Sequence, residues 1–356
     1  MTTPEATSTT SAATVAAAAT AGPPRGSSRS GEETTARSPL ALVSRLLHLP
    51  GAGVTISYIV LCVILASVTD TFFTVDNLTI VLRQSVMVGV MAIGMTLVIG
   101  MGEIDLSVGA ILGICGLAAA IWIQGGVNIY LAVFGACLLG AAIGMCNGVL
   151  VTYLRLPSFV ATLGSMSVLR GIIMVITGGV PVYGLRYPEF QFIGQGFIGP
   201  VPVPVVILLL LFVIFAFVLY RTPFGRYILS IGSNAQAARL AGIRLTAVRI
   251  ATYAITGFLC AVAGVILASR SEAATADAGS GMELDVIAAT IIGGTVMTGG
   301  KAVLYGTIVG AVLMTTIRNG LNLLGVSPLW HQVVIGAFIL ISVAGSMLTV
   351  KRGEGE

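Results

Sequence analysis

From about residue 53 onward, apolar positions come in long unbroken runs, separated by short polar or glycine-rich clusters. A helix needs about 20 largely apolar residues to cross a hydrocarbon layer. Ten runs meet or approach that length: about 53–69, 79–100, 106–124, 130–153, 158–178, 203–220, 248–269, 284–298, 303–318 and 329–349. The runs are continuous and show no ten-residue alternation of the barrel-strand kind, so helices are predicted throughout. The eighth and ninth are short and glycine-rich, and one of them is a candidate re-entrant segment, which leaves nine crossings as the alternative to ten. The pattern predicts an all-α fold, a polytopic transmembrane bundle of about ten spans.

Composition agrees. Of 356 residues, 56% are hydrophobic and 9% are charged, against roughly 25% charged in soluble domains. The five cysteines (Cys62, Cys115, Cys137, Cys146 and Cys260) all fall inside apolar runs, with no Cys-x-x-Cys pair. They read as small lipid- or core-facing residues, not as a disulfide or metal framework. Residues 1–45 differ: rich in Ala, Thr, Ser, Gly and Pro, with "AGPPRGSSRSGEE" inside, they hold too little apolar surface to fold alone. A disordered cytoplasmic tail is expected there, then a transmembrane domain over 46–350, then a short cytoplasmic tail at 351–356.

Charge sets the expected orientation. With the N-terminus in the cytoplasm, thirteen of the 18 Lys and Arg fall inside, among them Arg155, Arg221, Arg239, Arg249 and Lys301. Arg83, Arg186, Arg270 and Arg318 fall outside, and Arg170 lies within a span. This is a strong positive-inside bias, and it accounts for the net charge of +4 without a nucleic-acid partner. Trp122 and Trp330 then mark outer span ends, as interfacial aromatics do. His331, beside Trp330, reads as an interfacial polar residue, since nothing near it in sequence completes a metal set.

Three segments carry candidate chemistry. "IGMGEIDLSVGA" (99–110) puts Glu103 and Asp105 in an otherwise charge-free stretch between the second and third spans, at the expected cytoplasmic edge. Asp105 precedes an apolar helix and is placed to cap it, but capping leaves Glu103 without an account. "AATIIGGTVMTGGKAVLYGT" (288–307) ends a glycine run in Lys301, yet Thr295 and Ala302 stand where a phosphate loop needs Gly and Ser or Thr. It reads as close helix packing around a tight turn. The largest polar loop, 221–248, contains "NAQAARLAG", which spells a short helix with Asn234 as N-cap and Gly242 beyond its C-terminus. Ala235, Ala238 and Ala241 form a small-residue face expected to dock on another body, because two turns are marginal alone. Arg170 in "SVLRGI" is costly at mid-span unless it lines a path or anchors backbone carbonyls. Asn147, Asn319 and Asn322 are weaker path candidates, since buried amides also pin helices together.

"GMTLVIGMGEIDLSVGAILG", "LPSFVATLGSMSVLRGI", "GSNAQAARLAGI" and "AATIIGGTVMTGGKAVLYGTIVGAVL" followed by "NGLNLLGVSP" together resemble the ribose-type monosaccharide permeases of bacterial ABC importers. The resemblance covers essentially all of the chain beyond the tail. The family usually reads Gly-Gly-Ile-Asp-Leu-Ser-Val-Gly where this chain has Gly102-Glu103-Ile104-Asp105-Leu106-Ser107-Val108-Gly109, so Glu103 is a departure. The polar loop is similar in spacing to the Glu-Ala-Ala-x-x-x-Gly loop of other ABC permeases, with Gln236, Ala237, Ala238 and Gly242 at those places. The resemblance implies a permease fold in the bacterial plasma membrane with both termini cytoplasmic. It implies a second permease copy, cytoplasmic ATP-binding subunits and an extracytoplasmic sugar-binding protein as partners. No cofactor, metal or catalytic residue is expected in this chain. Gly232, Asn234, Gln236, Ala237, Ala238 and Gly242 are the expected ATPase-coupling residues. Glu103, Asp105, Ser107, Asn147, Arg170, Asn319 and Asn322 are the expected path or gating residues. Branched-chain amino acids, polyols and nucleosides are the alternative substrates within the class. An ion-coupled secondary transporter is the alternative outside it, disfavoured because every Asp and Glu falls in a tail, loop or span end.

Overall fold

A computed structural model describes residues 51–327 and 329–338. The expected tails at 1–45 and 351–356, and the second half of the tenth apolar run, lie outside the described residues. Within them the chain is helical: α1 (Ala52–Val68), α2 (Val75–Gly100), α3 (Val108–Gln124), α4 (Ile129–Thr152), α5 (Ser158–Thr177), α6 (Pro188–Gln195), α7 (Val203–Arg221), α8 (Pro223–Ser233), α9 (Ala235–Leu240), α10 (Leu245–Ser271), α11 (Met282–Ile292), α12 (Leu304–Leu323) and α13 (Leu329–Phe338). Four two-residue strands, β1 (Val182–Tyr183), β2 (Phe197–Ile198), β3 (Val201–Pro202) and β4 (Ala273–Ala274), pair antiparallel as β1–β4 and β2–β3. Among the described residues α2, α4, α5, α7 and α10 are long and apolar enough to cross a membrane.

The centre of the bundle is α2 and α10. Every residue of α2 from Ser85 to Gly100 is buried, as expected of a helix that is apolar on all sides. α10 packs along α2, α3 and α4. Its contact with α4 is close because Gly140, Gly144 and Gly148 meet Gly257, Tyr253 and Ile250, where a Cβ on any of the three α4 glycines would run into the facing helix. α7, by contrast, turns Leu209, Leu210, Val213 and Phe217 outward.

The helices that come after α2 and α10 start late. Residues 101–107 form two turns around an irregular stretch before α3, and residues 272–281, which hold the short β4 and then turns, precede α11. At about 1.5 Å per residue, the 17 residues of α3 and the 11 of α11 give roughly 25 and 16 Å, short of the ~30 Å of a bilayer core. The first turn of α3 packs on the second break, Gly109 lying against the Gly279 carbonyl and the Glu283 carboxylate. The eighth apolar run thus differs from expectation. Its helix ends at Ile292, and 293–303 is turn and loop, because Gly293 and Gly294 close the helix and the apolar Thr295–Met297 continues without helical backbone.

At the far end of α10, Glu272 clasps the short α6. Its carboxylate accepts from Gln191 Nε2 (2.7 Å), Gln195 Nε2 (3.2 Å) and Arg186 Nε (3.1 Å). Ser269 Oγ also accepts from the Gly194 N–H at 2.8 Å.

Candidate coupling and gating site

Thr222 caps α8, with Pro223 in its first turn, and α8 buries Gly225, Ile228 and Ile231 on one face. Asn234 then ends α8 and starts α9, its Oδ1 accepting from the Ala237 N–H at 3.0 Å. α9 closes with the Ile243 N–H on the Ala238 carbonyl (3.1 Å) and the Gly242 N–H on the Arg239 carbonyl (3.0 Å). Gly242 adopts the left-handed backbone that this closure requires (φ 82). A six-residue helix is therefore fixed at both ends by local chemistry.

The facing of α9 corrects the expectation from the small residues. Ala238 is only 4% exposed and packs into this chain, with Ala235 half-buried beside it. The outward face carries Gln236, Ala237, Ala241 and Leu240, the last 90% exposed. A small-residue stripe permits close packing without saying on which body, and here the body is the permease itself.

The α8 flank of α9 touches the end of α2. Gly232 sits so close to Gly100, Gly299 and Gly300 that a Cβ would overlap the Gly100 carbonyl and the Gly300 nitrogen. The Gly300 N–H donates to the Gly100 carbonyl at 2.9 Å. The glycine run before Lys301 serves this junction, in a turn that the Val296 N–H closes on the Lys301 carbonyl (3.2 Å).

The α10 flank touches the residues just after α2. Arg249 Nε lies 3.0 Å from Glu103 Oε1. The pair opens on a polar cavity of about 590 Å³ that Arg155, Ser158 and Arg239 also line. Beyond Glu103 the backbone is not helical until Val108, and α5 side chains replace a helical ladder: the Ile104 N–H donates to Ser158 Oγ (3.3 Å) and the Leu106 N–H to Thr162 Oγ1 (3.1 Å).

Asp105 is fully buried. It was expected to cap α3, but Ser107 holds the N-cap position and makes no side-chain cap bond. Asp105 Oδ1 instead accepts from both the Ser107 N–H (2.9 Å) and the Ser107 hydroxyl (2.5 Å), and Asn147 Nδ2 donates to that hydroxyl at 2.8 Å. Asp105 therefore organises the turn ahead of the helix, one step earlier than a cap.

Of the other expected path residues, Arg170 reaches the second break, its Nη1 donating to the Ala278 carbonyl at 2.6 Å. Asn319 lies elsewhere, in a reciprocal amide pair with Asn77 that ties α12 to α2 (2.7 and 3.2 Å). Asn322 is exposed and joins neither group. The sequence reading missed Arg249, Ser158 and Thr162, as well as the Arg318–Asp285 ion pair (2.7 Å) between α12 and α11. The one available signal for that pair was an acid and a base in successive apolar runs. Among the described residues, no three His, Cys, Asp or Glu side chains come together to hold a metal.

A family model described as "Branched-chain amino acid transport system / permease component" matches residues 77–343. A ribose import permease protein of Escherichia coli (strain K12) is 42% identical over 291 residues, covering 81% of this chain and 91% of that one. The ribose import permease protein of Bacillus subtilis (strain 168) is 43% identical over 292 residues, covering 82% and 91%. An L-arabinose ABC transporter permease protein of Azospirillum brasilense is 32% identical over 292 residues, covering 82% and 86%. No solved structure matches the chain.

Proposed function

The chain belongs to the family of branched-chain amino acid transport system permease components, and we propose that it is the membrane subunit of an ATP-driven ABC importer for a monosaccharide. The observation that carries this reading is identity of 42–43% over four fifths of the chain with permeases named for ribose import. The relative named for arabinose supports the sugar class over the amino acids in the family's description. ATP hydrolysis belongs to separate cytoplasmic subunits, the sugar arrives on an external binding protein, and two permease copies form the path across the plasma membrane.

In this reading α9 is the coupling helix. Asn234 and Gly242 fix its ends, Gly232 sets it against α2, and Ala238 seats it. Gln236, Ala237 and Leu240 face the ATPase. Glu103, Asp105, Ser107 and Asn147 hold the first break and Arg170 holds the second, and the breaks are where packed helices shift between outward- and inward-open states. Asn319 is a helix pin. The positive-inside bias puts the α9 end, and both termini, in the cytoplasm. The count reaches about ten spans if the non-helical stretches complete the crossings begun by α3 and α11.

The test is reconstitution of the permease with its ATPase subunits and binding protein in proteoliposomes. We expect uptake of labelled ribose or another pentose only when the ATPase subunits and ATP are present. Uptake without the ATPase would overturn the ABC reading, and uptake of leucine in place of sugars would overturn the substrate class.

A further inference from the structure

We propose that the Glu103–Arg249 ion pair is the strut that carries movement of α9 into the break between α2 and α3, which makes Glu103 a positioning residue for transport. This rests on the reading of α9 as the coupling helix. α9 has two shoulders, α8 ending at Ser233 and α10 beginning at Leu245, and both grip the same few residues. The α8 shoulder holds Gly100 through Gly232 and the Gly299–Gly300 turn. The α10 shoulder holds Glu103 through Arg249, about one turn into the helix. A push on α9 that moves its shoulders therefore moves residues 100–103.

The backbone just beyond Glu103 is suited to moving. Residues 103–105 have no regular secondary structure and Leu106 begins a turn, and hydroxyls of α5 take the Ile104 and Leu106 N–H groups that a helix ladder would otherwise use. Exchanging such bonds for water or for neighbouring hydroxyls is less costly than breaking a helix interior. The stretch then runs through Asp105 and Ser107 directly into α3, whose first turn packs on the second break. Displacement at Glu103 is thus passed along a continuous chain of contacts to the second break.

The pair is also asymmetric. The Glu103 side chain is 10% exposed and the Arg249 side chain 27%, and Glu103 Oε2 has no hydrogen-bond partner among the described residues. Arg249 lines the cavity, although its Nε is buried, whereas Glu103 lies between Arg249 and Tyr253, both on α10. Neutralising Glu103 therefore removes the charged link to α10 and leaves a guanidinium that lines the cavity, whereas removing Arg249 strands a buried carboxylate.

The experiment compares sugar taken up with ATP hydrolysed by the complete importer in proteoliposomes. For Glu103→Gln we expect the ratio to fall about tenfold, with ATP hydrolysis, ATPase retention and melting temperature close to the unsubstituted protein. Arg249→Gln should lower the ratio as far but also melt lower, because it strands the Glu103 carboxylate. Arg249→Lys keeps a cation at that site and should restore most of the ratio. The doubly exchanged variant, Glu103→Arg with Arg249→Glu, should recover more than either single exchange. An unchanged ratio in both Gln variants would overturn the proposal. So would a fall in uptake of Glu103→Gln that tracks a fall in its melting temperature, since that marks a merely structural pair. Leu240→Asp, on the outward face of α9, separates this inference from the reading beneath it. If that variant keeps its ATPase and its uptake, the coupling helix itself is misassigned. If it loses both while the Gln variants stay coupled, only the strut fails.

Discussion

Asp105 shows what a single residue revealed and what it concealed. Two acids in a charge-free stretch were visible at once, and so was the demand that each find a partner. The partners were not visible. Asp105 binds Ser107 two residues on, a local turn that competes with capping, while Glu103 pairs with Arg249, 146 positions away, through topology alone. Asn147 reaches the same cluster because α4 packs beside α3. Asp105→Asn keeps an acceptor for the Ser107 N–H and hydroxyl, so we expect near-normal stability and transport. Asp105→Ala leaves those buried donors unpaired, and thermal denaturation in detergent should show a loss of about 1–3 kcal/mol. Stable Asp105→Asn protein with no transport would mean that the ionised carboxylate itself serves the gate.

Elements were legible where their signals are local and illegible where they depend on a neighbour. Asn234 and Gly242 were readable as the two ends of α9 because caps bond within a few residues. Which side of α9 faces out was not, since Ala235, Ala238 and Ala241 suit any close contact. The same limit applies to α11: apolar Thr295–Met297 satisfies a hydropathy window whether or not its backbone is helical. The inward seat of Ala238 and the outward Leu240 lead to opposite expectations. Ala238→Glu buries a charge within the permease and should lower its abundance in membranes. Leu240→Asp changes a side chain 90% exposed, so abundance should hold while the ATPase no longer co-purifies. At the other end, the clasp on α6 titrates. Bonds from Gln195 and Gln191, then Arg186, hold the Glu272 carboxyl below its usual range. A group depressed in the folded state stabilises above its unfolded value, and that contribution is lost as pH falls through the folded one. A spin label at Glu189→Cys should stay ordered from neutral pH down and loosen only below the range in which an ordinary glutamate protonates. With Glu272→Gln it should be loose already at neutral pH, and a label equally ordered in both proteins at every pH would show that the clasp does not depend on the carboxylate.

For the whole molecule, the apolar runs located the helices, and the charges between them proposed an orientation, but neither could show that α3 and α11 are short helices preceded by non-helical stretches. Hydropathy averages over backbone shape, and a broken helix of small residues scores like an intact one. What the structure adds is a ruler. α10 runs without interruption from Leu245 to Ser271, 27 residues or about 40 Å, with α9 attached before one end and Glu272 just after the other. If α10 crosses the bilayer, these two places lie on opposite sides of it. In the orientation proposed from the thirteen-to-four distribution of Lys and Arg, α9 lies on the cytoplasmic side. Single cysteines at Leu240→Cys and Glu189→Cys, after removal of the five native ones, can test both statements together with a membrane-impermeant thiol reagent. We expect Leu240→Cys to react in inside-out vesicles and Glu189→Cys in right-side-out vesicles. The opposite assignment would reverse the orientation but keep the crossing. Labelling of both positions from one side would mean that α10 does not traverse the membrane, and the transmission route from α9 to the breaks would then have no bilayer to act across.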